Sequence, residues 1–151
     1  MSGYDIEIKG LEEMRTRFAE SPQIVGDILE AATKEAGTDI FRTAVTEAPH
    51  STGNLQRSMH MEYKPIQVEV KPSAEYAKYV EFGTKPHYVN PSALESWAKK
   101  KGLNPFAVAR SIRMKGTNAN PFMERTKDKM EGGIQALFTR ALEKITELLA
   151  K

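Results

Sequence analysis

A long stripe of apolar residues runs from Pro22 to Ala48. Its members recur every three or four residues, a spacing that places them on one face of an α-helix. Ser21-Pro22 is typical of an N-cap followed by proline in the first helical turn, and Pro49 ends the pattern. A helix of this length extends about 40 Å, and its apolar face needs a second layer of structure to cover it. The stripe consists of Ile24, Val25, Ile28, Leu29, Ala32, Ala36, Ile40, Phe41, Ala44, Val45 and Ala48.

A second stripe follows Asn120-Pro121 and predicts a final helix that continues almost to the C-terminus. Gly132-Gly133 lies within it, and we expect this pair to interrupt or kink the helix. Either the helix packs within the domain or it reaches out to a neighbouring subunit. The stripe consists of Met123, Met130, Ile134, Leu137, Phe138, Ala141, Leu142, Ile145, Leu148 and Leu149.

The chain between the two stripes predicts a β-hairpin and several short helices. Residues 59–70 alternate in polarity on both sides of Lys64-Pro65, which indicates two antiparallel strands. Short helices are predicted at 75–82, 94–101 and 106–115, and a strand at 4–8 with a helix at 11–20 is predicted before the first stripe. We therefore expect an α+β fold, in which a small antiparallel sheet with a hairpin packs against a long helix in the N-terminal half and a long C-terminal helix.

Length and composition restrict the chain to a single domain, residues 1–151, of modest net charge. It has 151 residues, a net charge of +2 and no cysteine, which excludes disulfides, thiolate metal sites and a cysteine nucleophile. No run approaches the roughly 20 apolar residues of a membrane span, and the N-terminus is unlike a signal peptide. We expect a soluble protein that is not secreted and has no membrane partner.

Residues that could support catalysis or metal binding do not form a recognisable set. His50, His60 and His87 lack metal-ligand spacing, and Gly83-Thr84-Lys85 lacks the rest of a phosphate-binding loop. Ser58, His60 and Glu62 alternate along one strand, whereas a nucleophilic relay needs side chains that converge. Glu81 has no identifiable acid or base partner; such a residue is more often on the surface or accepts hydrogen bonds from loop amides. We expect no catalytic, metal or cofactor site and no enzyme activity.

Positive charge is concentrated between residues 97 and 115. As a nucleic-acid site this segment would offer phosphate contacts and one aromatic ring for stacking. The interpretation we favour is that Trp97 anchors a short helix whose outer face is solvated by lysines. The segment contains Trp97, Lys99, Lys100, Lys101, Arg110, Arg113 and Lys115.

Three motifs in order resemble the tail-component family of long-tailed bacteriophages, siphoviruses and prophages. The first runs from Ala48-Pro49 through Thr52-Gly53-Asn54-Leu55 to Ser58, the second is the stretch from Tyr76 to Thr84, and the third is Asn120-Pro121-Phe122-Met123 before a long helix. The resemblance covers about residue 48 to the C-terminus, and it identifies residues 85–119 as a variable, basic, helical insertion, since many relatives have a shorter connection there.

The resemblance implies structural roles for the motif residues. Thr52 is expected to cap a turn that Gly53 permits, and Gly83 to adopt a conformation unfavourable for other residues. Aromatic rings of the second motif are expected to be buried against the sheet, and the third motif to start the final helix and pin it to the core. The motif residues are Thr52, Gly53, Leu55, Ser58, Tyr76, Tyr79, Glu81, Phe82, Gly83, Thr84, Pro121, Phe122 and Met123.

The family further implies a structural virion protein of the neck or tail-completion type, which helps join head to tail as a homo-oligomeric ring. Its expected partners are other neck, connector and tail proteins, with non-specific contact to phage DNA in the lumen. It would be located in the virion, and in the host cytoplasm during assembly. The alternative is a small nucleic-acid-binding regulator that uses the basic segment 97–115.

Overall fold

The computed structural model describes residues 22–150, so the predicted strand at 4–8 and helix at 11–20 lie outside the described residues. The described chain contains six helices and one hairpin, and it has the α+β architecture expected from the sequence. In chain order the elements are α1 (Pro22–Glu47), α2 (Asn54–Arg57), β1 (Met59–Lys64), β2 (Gln67–Pro72), α3 (Ala77–Phe82), α4 (Pro91–Lys101), α5 (Pro105–Lys115) and α6 (Phe122–Leu149).

The long helices α1 and α6 pack against each other in antiparallel directions. Near the end of α1, the Thr43 hydroxyl contacts the Met130 sulfur of α6 at 3.1 Å, while Ile24 near the start of α1 lies beside Leu148 near the end of α6. The C-terminal helix therefore packs within its own domain. It also runs without a break through Gly132-Gly133, so the predicted interruption is wrong. Both glycines are exposed, and contacts with α1 before and after them maintain the helix.

The hairpin pairs β1 with β2 in antiparallel register and packs against the middle of α1. Met61 lies opposite Val70 and Tyr63 opposite Val68, with the turn at Pro65-Ile66. Gly37 of α1 is buried, and a Cβ atom there would overlap the Val68 side chain. The hairpin can approach α1 this closely because residue 37 has no side chain.

A cluster of buried apolar residues lies at the C-terminal end of α1, where α2, the hairpin, α3 and the start of α6 converge. Phe122 is among its largest fully buried side chains, with 1% of its surface exposed. The cluster comprises Ala44, Ala48, Leu55, Met59, Ala77 and Phe122, with Phe41, Val45, Val70, Ala74, Val80 and Met123 packed against it. All three sequence motifs contribute to this cluster.

Helices α4 and α5 pack against each other and form a helical arm, residues 85–116. Asn90 and Asn104 cap the two helices: the Asn90 side chain accepts the Ser92 N–H at 3.1 Å, and the Asn104 side chain accepts the Phe106 N–H at 2.9 Å. Helix α4 begins at Pro91, three residues before the predicted start. Among residues 22–150, no helix is long and apolar enough to cross a membrane.

Candidate functional site

The second and third motifs meet at a carboxylate that caps the final helix. One oxygen of Glu81 accepts the N–H of Met123 at 2.9 Å and the other accepts the N–H of Glu124 at 3.1 Å. These amides belong to the first turn of α6, where N–H groups have no partner within the helix. Glu81 is 8% exposed, so it is a buried cap rather than a surface residue. Pro121, the residue just before α6, makes no side-chain cap hydrogen bond, so this cap comes from a residue distant in the sequence.

The end of the second motif forms a two-residue bridge with the chain that leaves the arm. Thr84 and Thr117 exchange backbone hydrogen bonds of 3.1 and 3.2 Å, and the Thr84 hydroxyl also accepts the Thr117 N–H at 3.0 Å. The bridge joins the residues that flank the arm on either side, so it closes the arm at its base. The Thr84 hydroxyl thus bonds an amide 33 residues further along the chain.

Glycine precedes each threonine of this bridge, and both glycines have backbone angles that other residues essentially never adopt. Gly83 has φ 74° and ψ −177°, and Gly116 has φ 76° and ψ −158°. A Cβ atom at Gly83 would lie 2.5 Å from the Thr117 carbonyl oxygen. A Cβ atom at Gly116 would overlap the Thr84 carbonyl oxygen. The repeated Gly-Thr dipeptide is the sequence signal for this contact, and the three motifs alone did not reveal it.

The aromatic residues of the second motif are on the surface, so the prediction that their rings are buried against the sheet is wrong. Tyr76, Tyr79 and Phe82 are 45%, 52% and 79% exposed. The short helix α3 buries the opposite face, which carries Ala77 and Glu81. The Lys78 ammonium lies 5.0 Å from the centre of the Tyr79 ring, a cation–π contact at the surface.

Between α3 and the arm lies an open groove of ≈ 1110 Å³. Tyr76, Tyr79 and Val80 line one side of it, and Val89 and Ile112 line the other. A smaller depression of ≈ 270 Å³ adjoins it at Tyr76 and Val80 and includes Thr52 and Gly53 of the first motif. The two motifs thus present one continuous, largely apolar surface, which we name the aromatic groove.

The first motif forms the loop that connects α1 to the hairpin. Gly53 has φ 76° and precedes α2 without a side-chain cap, and the Thr52 hydroxyl lies 3.5 Å from the Asn54 N–H, which is too long for a strong cap. Leu55 is buried in the core. The Ser58 hydroxyl donates to the Leu55 carbonyl at 2.7 Å, and the Ser58 carbonyl accepts the Ser73 N–H at 2.8 Å, which closes the open end of the hairpin.

An ion-pair cluster that the sequence patterns did not predict joins the end of α1 to the start of α6. Glu47 bonds Arg125 at 3.0 Å and is also paired with Lys129. The hydrogen bond from Lys129, followed by that from Arg125, lowers the pKa of Glu47 below its ordinary value of 4.5. Partners 78 and 82 residues apart leave no local signal in the sequence.

The residues considered for chemistry do not assemble into a relay. His60 lies 3.6 Å from Glu62, but the Ser58 hydroxyl is bonded to a backbone carbonyl. His87 contacts Thr84 and the Lys85 carbonyl at the base of the arm. Residues 22–150 contain no group of three or more His, Cys, Asp or Glu residues that could hold a metal ion.

The six cationic residues of helices α4 and α5 are exposed, and Trp97 of α4 is half-buried. Lys99, Lys100 and Lys101 occupy the end of α4, and the remaining three cations lie along α5. Within residues 22–150, none of the six has a carboxylate at ion-pair distance. The other members of this set are Arg110, Arg113 and Lys115.

Comparison with known proteins confirms the resemblance for part of the chain. Residues 12–83 match the model of a family described as "Bacteriophage HK97-gp10, putative tail-component". The matched segment includes the first motif and the second motif as far as Gly83. It begins before the first motif, and it ends before the arm and the third motif. Searches of curated proteins and of solved structures returned no match. The match supports a structural role in a phage tail.

Proposed function

We propose that this chain, which matches the phage tail-component family over residues 12–83, is a structural virion protein of the neck or tail-completion type. It acts as a subunit of a homo-oligomeric ring that helps join the head of a tailed phage or prophage to its tail. Its partners are connector and tail proteins. It is located in the virion and, during assembly, in the host cytoplasm. It functions by binding other proteins through its surfaces and not by catalysis.

The observation that carries this proposal is the exposure of the aromatic groove. Tyr76, Tyr79 and Val80 line one side of this largely apolar groove, and Tyr76 and Tyr79 are 45% and 52% exposed. Exposed apolar surfaces of this kind mark interaction sites. Aromatic residues are enriched at the centres of protein interfaces, where they contribute most of the binding energy. The family motif, its buried Glu81 cap and its glycine bridge together hold this surface in a fixed geometry.

The test is assembly with defined partners. The full chain would be mixed with the connector and tail proteins of the same phage, and the products measured by light scattering and electron microscopy. We expect ring-shaped particles alone or in complex with these partners. A chain that remains monomeric and binds neither partner contradicts the proposal.

The unpaired charge of the arm favours nucleic-acid binding as a second candidate function. Residues 85–116 contain seven Lys or Arg and one Glu, a net charge of +6 in a chain whose total is +2. Binding to short duplex and single-stranded DNA across a salt series tests it, because phosphate contacts give a steep loss of affinity with salt. A flat salt dependence would exclude a regulator that works through this segment.

A further inference from the structure

The arm carries an excess of positive charge that its own chain does not neutralise. Residues 85–116 have a net charge of +6, whereas the whole chain carries +2. The six cations of α4 and α5 are exposed, and no carboxylate of residues 22–150 lies at ion-pair distance from any of them. In the body, by contrast, Lys34, Arg125 and Lys129 pair with carboxylates of the same chain. The arm therefore offers its charge to an anionic partner.

Helix α5 places an aromatic ring among these charges. Phe106, Arg110 and Met114 follow one another at intervals of four residues, so their side chains are neighbours along one stripe of the helix. Phe106 is 69% and Met114 64% exposed. Ile112, on the opposite side of α5, lines the aromatic groove. The stripe therefore faces away from the groove, and the two surfaces are separate.

The end of α4 brings three lysines to the same end of the arm as the Phe106 ring. Lys99, Lys100 and Lys101 form the last turn of α4, and residues 102–104 alone separate them from the start of α5 at Pro105. The other end of α5 leads into the base of the arm, about 15 Å away along the helix axis. The ring and the lysines thus lie together at the free end of the arm, remote from its bridge to the body.

A single-stranded nucleic acid is the anionic partner that uses both features. Its phosphates attract Lys and Arg, and its bases stack on exposed aromatic rings. In a duplex the bases are stacked on one another and present only their edges in the grooves, so an exposed ring has no base face to cover. An arginine beside the ring can also stack on an unpaired base. An exposed ring next to unpaired cations therefore fits a single strand better than a duplex.

We propose that the free end of the arm binds single-stranded nucleic acid, with a base stacked on Phe106. Arg110, one turn further along α5, and the three lysines at the end of α4 contact the neighbouring phosphates. Binding is independent of sequence, because every base has a face that can stack and the phosphates are the same throughout. The inference rests on the second proposed function, nucleic-acid binding by the arm, and names its ligand class and the residues that contact it.

Fluorescence anisotropy of labelled oligonucleotides tests the stacking contact on the full chain. The probes are oligo(dT) and oligo(U) of about 16 nucleotides and a DNA duplex of the same length. We expect wild type to bind the single strands more tightly than the duplex. Phe106→Leu keeps an apolar side chain but removes the ring, and it should weaken single-strand binding roughly tenfold without changing duplex binding. Phe106→Tyr keeps the ring and should bind like wild type.

Charge reversal tests the phosphate contacts in the same assay. Arg110→Glu should weaken binding of both single strands and lower the slope of log affinity against log salt by about 1. Lys64→Glu, at an exposed lysine of the hairpin, changes the net charge equally and is the matched control, which should bind like wild type. Circular dichroism verifies that each variant is folded.

The outcomes separate this inference from the proposed functions. If oligo(dT) and the duplex bind equally and Phe106→Leu changes neither, the arm contacts phosphates alone; the inference is overturned and nucleic-acid binding stands. If no probe binds even at low salt, the inference and nucleic-acid binding fail together, whereas the structural role in the tail is measured separately with connector and tail proteins. If Arg110→Glu weakens assembly with those proteins but not probe binding, the stripe is a protein interface and the inference is overturned.

Discussion

The carboxylate of Glu81 accepts the backbone N–H of Met123 at 2.9 Å, across 42 residues of sequence. Its second oxygen accepts the N–H of Glu124. A negative charge at a helix N-terminus meets both the unpaired N–H groups and the positive end of the helix dipole. Because Phe122 is buried immediately beside this contact, the short helix α3 and the long helix α6 are held as one unit.

Removal of this cap is expected to destabilise the fold. Glu81→Ala leaves two amides of the α6 first turn without their acceptor and should lower the free energy of unfolding by about 2 kcal/mol. Urea denaturation followed by circular dichroism measures the loss. Glu75→Ala, an exposed glutamate just before α3, is the control and should change stability by less than about 0.5 kcal/mol. Equal losses in the two variants would mean that the cap has no special role.

The Glu47 ion pairs predict a pH dependence in acid. The pKa of Glu47 in the folded protein lies below its ordinary 4.5, so its ionised form stabilises the fold above that value, and the contribution disappears as the pH falls through the lowered pKa. The difference in urea midpoint between wild type and Glu47→Gln should be constant from neutral pH down to about pH 5 and should shrink below it. Lys129→Met should show the same profile. A difference that does not change with pH would contradict the ion-pair explanation.

Gly83 and Gly116, at the base of the arm, should tolerate substitution far less than Gly102, which follows helix α4. Gly116→Ala creates an overlap with the Thr84 carbonyl in addition to an unfavourable backbone angle, whereas Gly102 has φ 66° and open space within 4 Å of where a Cβ would lie. We expect Gly102→Ala to cost about 1 kcal/mol and Gly116→Ala at least twice as much. Hydrogen exchange at the Thr117 amide should accelerate only in the Gly116 variant. Unchanged protection there would show that the bridge survives.

Local pattern was sufficient to predict most of the helices and the hairpin. The stripe in α1 is long and regular, the alternation around Lys64-Pro65 is clear, and Pro91 and Pro105 begin helices near the predicted places. Contacts between distant segments could not be predicted in this way. The Glu81 cap and the Glu47 ion pairs join residues more than about 40 positions apart, and no periodicity records such partners.

The aromatic residues of α3 and its start show why the candidate site was harder to predict than the fold. The family resemblance implied burial of Tyr76, Tyr79 and Phe82, whose spacing places them on a shared face. The helix instead buries the face of Ala77 and Glu81, because a small side chain permits close packing there and the carboxylate reaches the start of α6. A six-residue helix has room for only one buried face, and tertiary contacts decide which it is.

Substitution of an exposed aromatic should separate assembly from stability. Phe82→Ser is expected to leave the free energy of unfolding within about 0.5 kcal/mol of wild type, since the ring is 79% exposed, while weakening binding to the virion partners. Phe122→Ala, at a position 1% exposed, should instead cost about 3–5 kcal/mol. Thermal denaturation and co-sedimentation with connector and tail proteins measure the two effects. Normal binding by Phe82→Ser would exclude this ring from the interface.

Glycines inside the long helices should respond to alanine in opposite directions. Gly132 of α6 has open space around it, so Gly132→Ala should stabilise the protein by about 0.5–1 kcal/mol through better helix propensity. Gly37 of α1 faces Val68 of the hairpin, and Gly37→Ala should destabilise by about 1–3 kcal/mol because the added methyl group overlaps that side chain. Val68→Ala in the Gly37→Ala background should recover part of the loss, which a double-mutant cycle in urea measures. If the two losses simply add, the hairpin does not pack on α1 at this glycine.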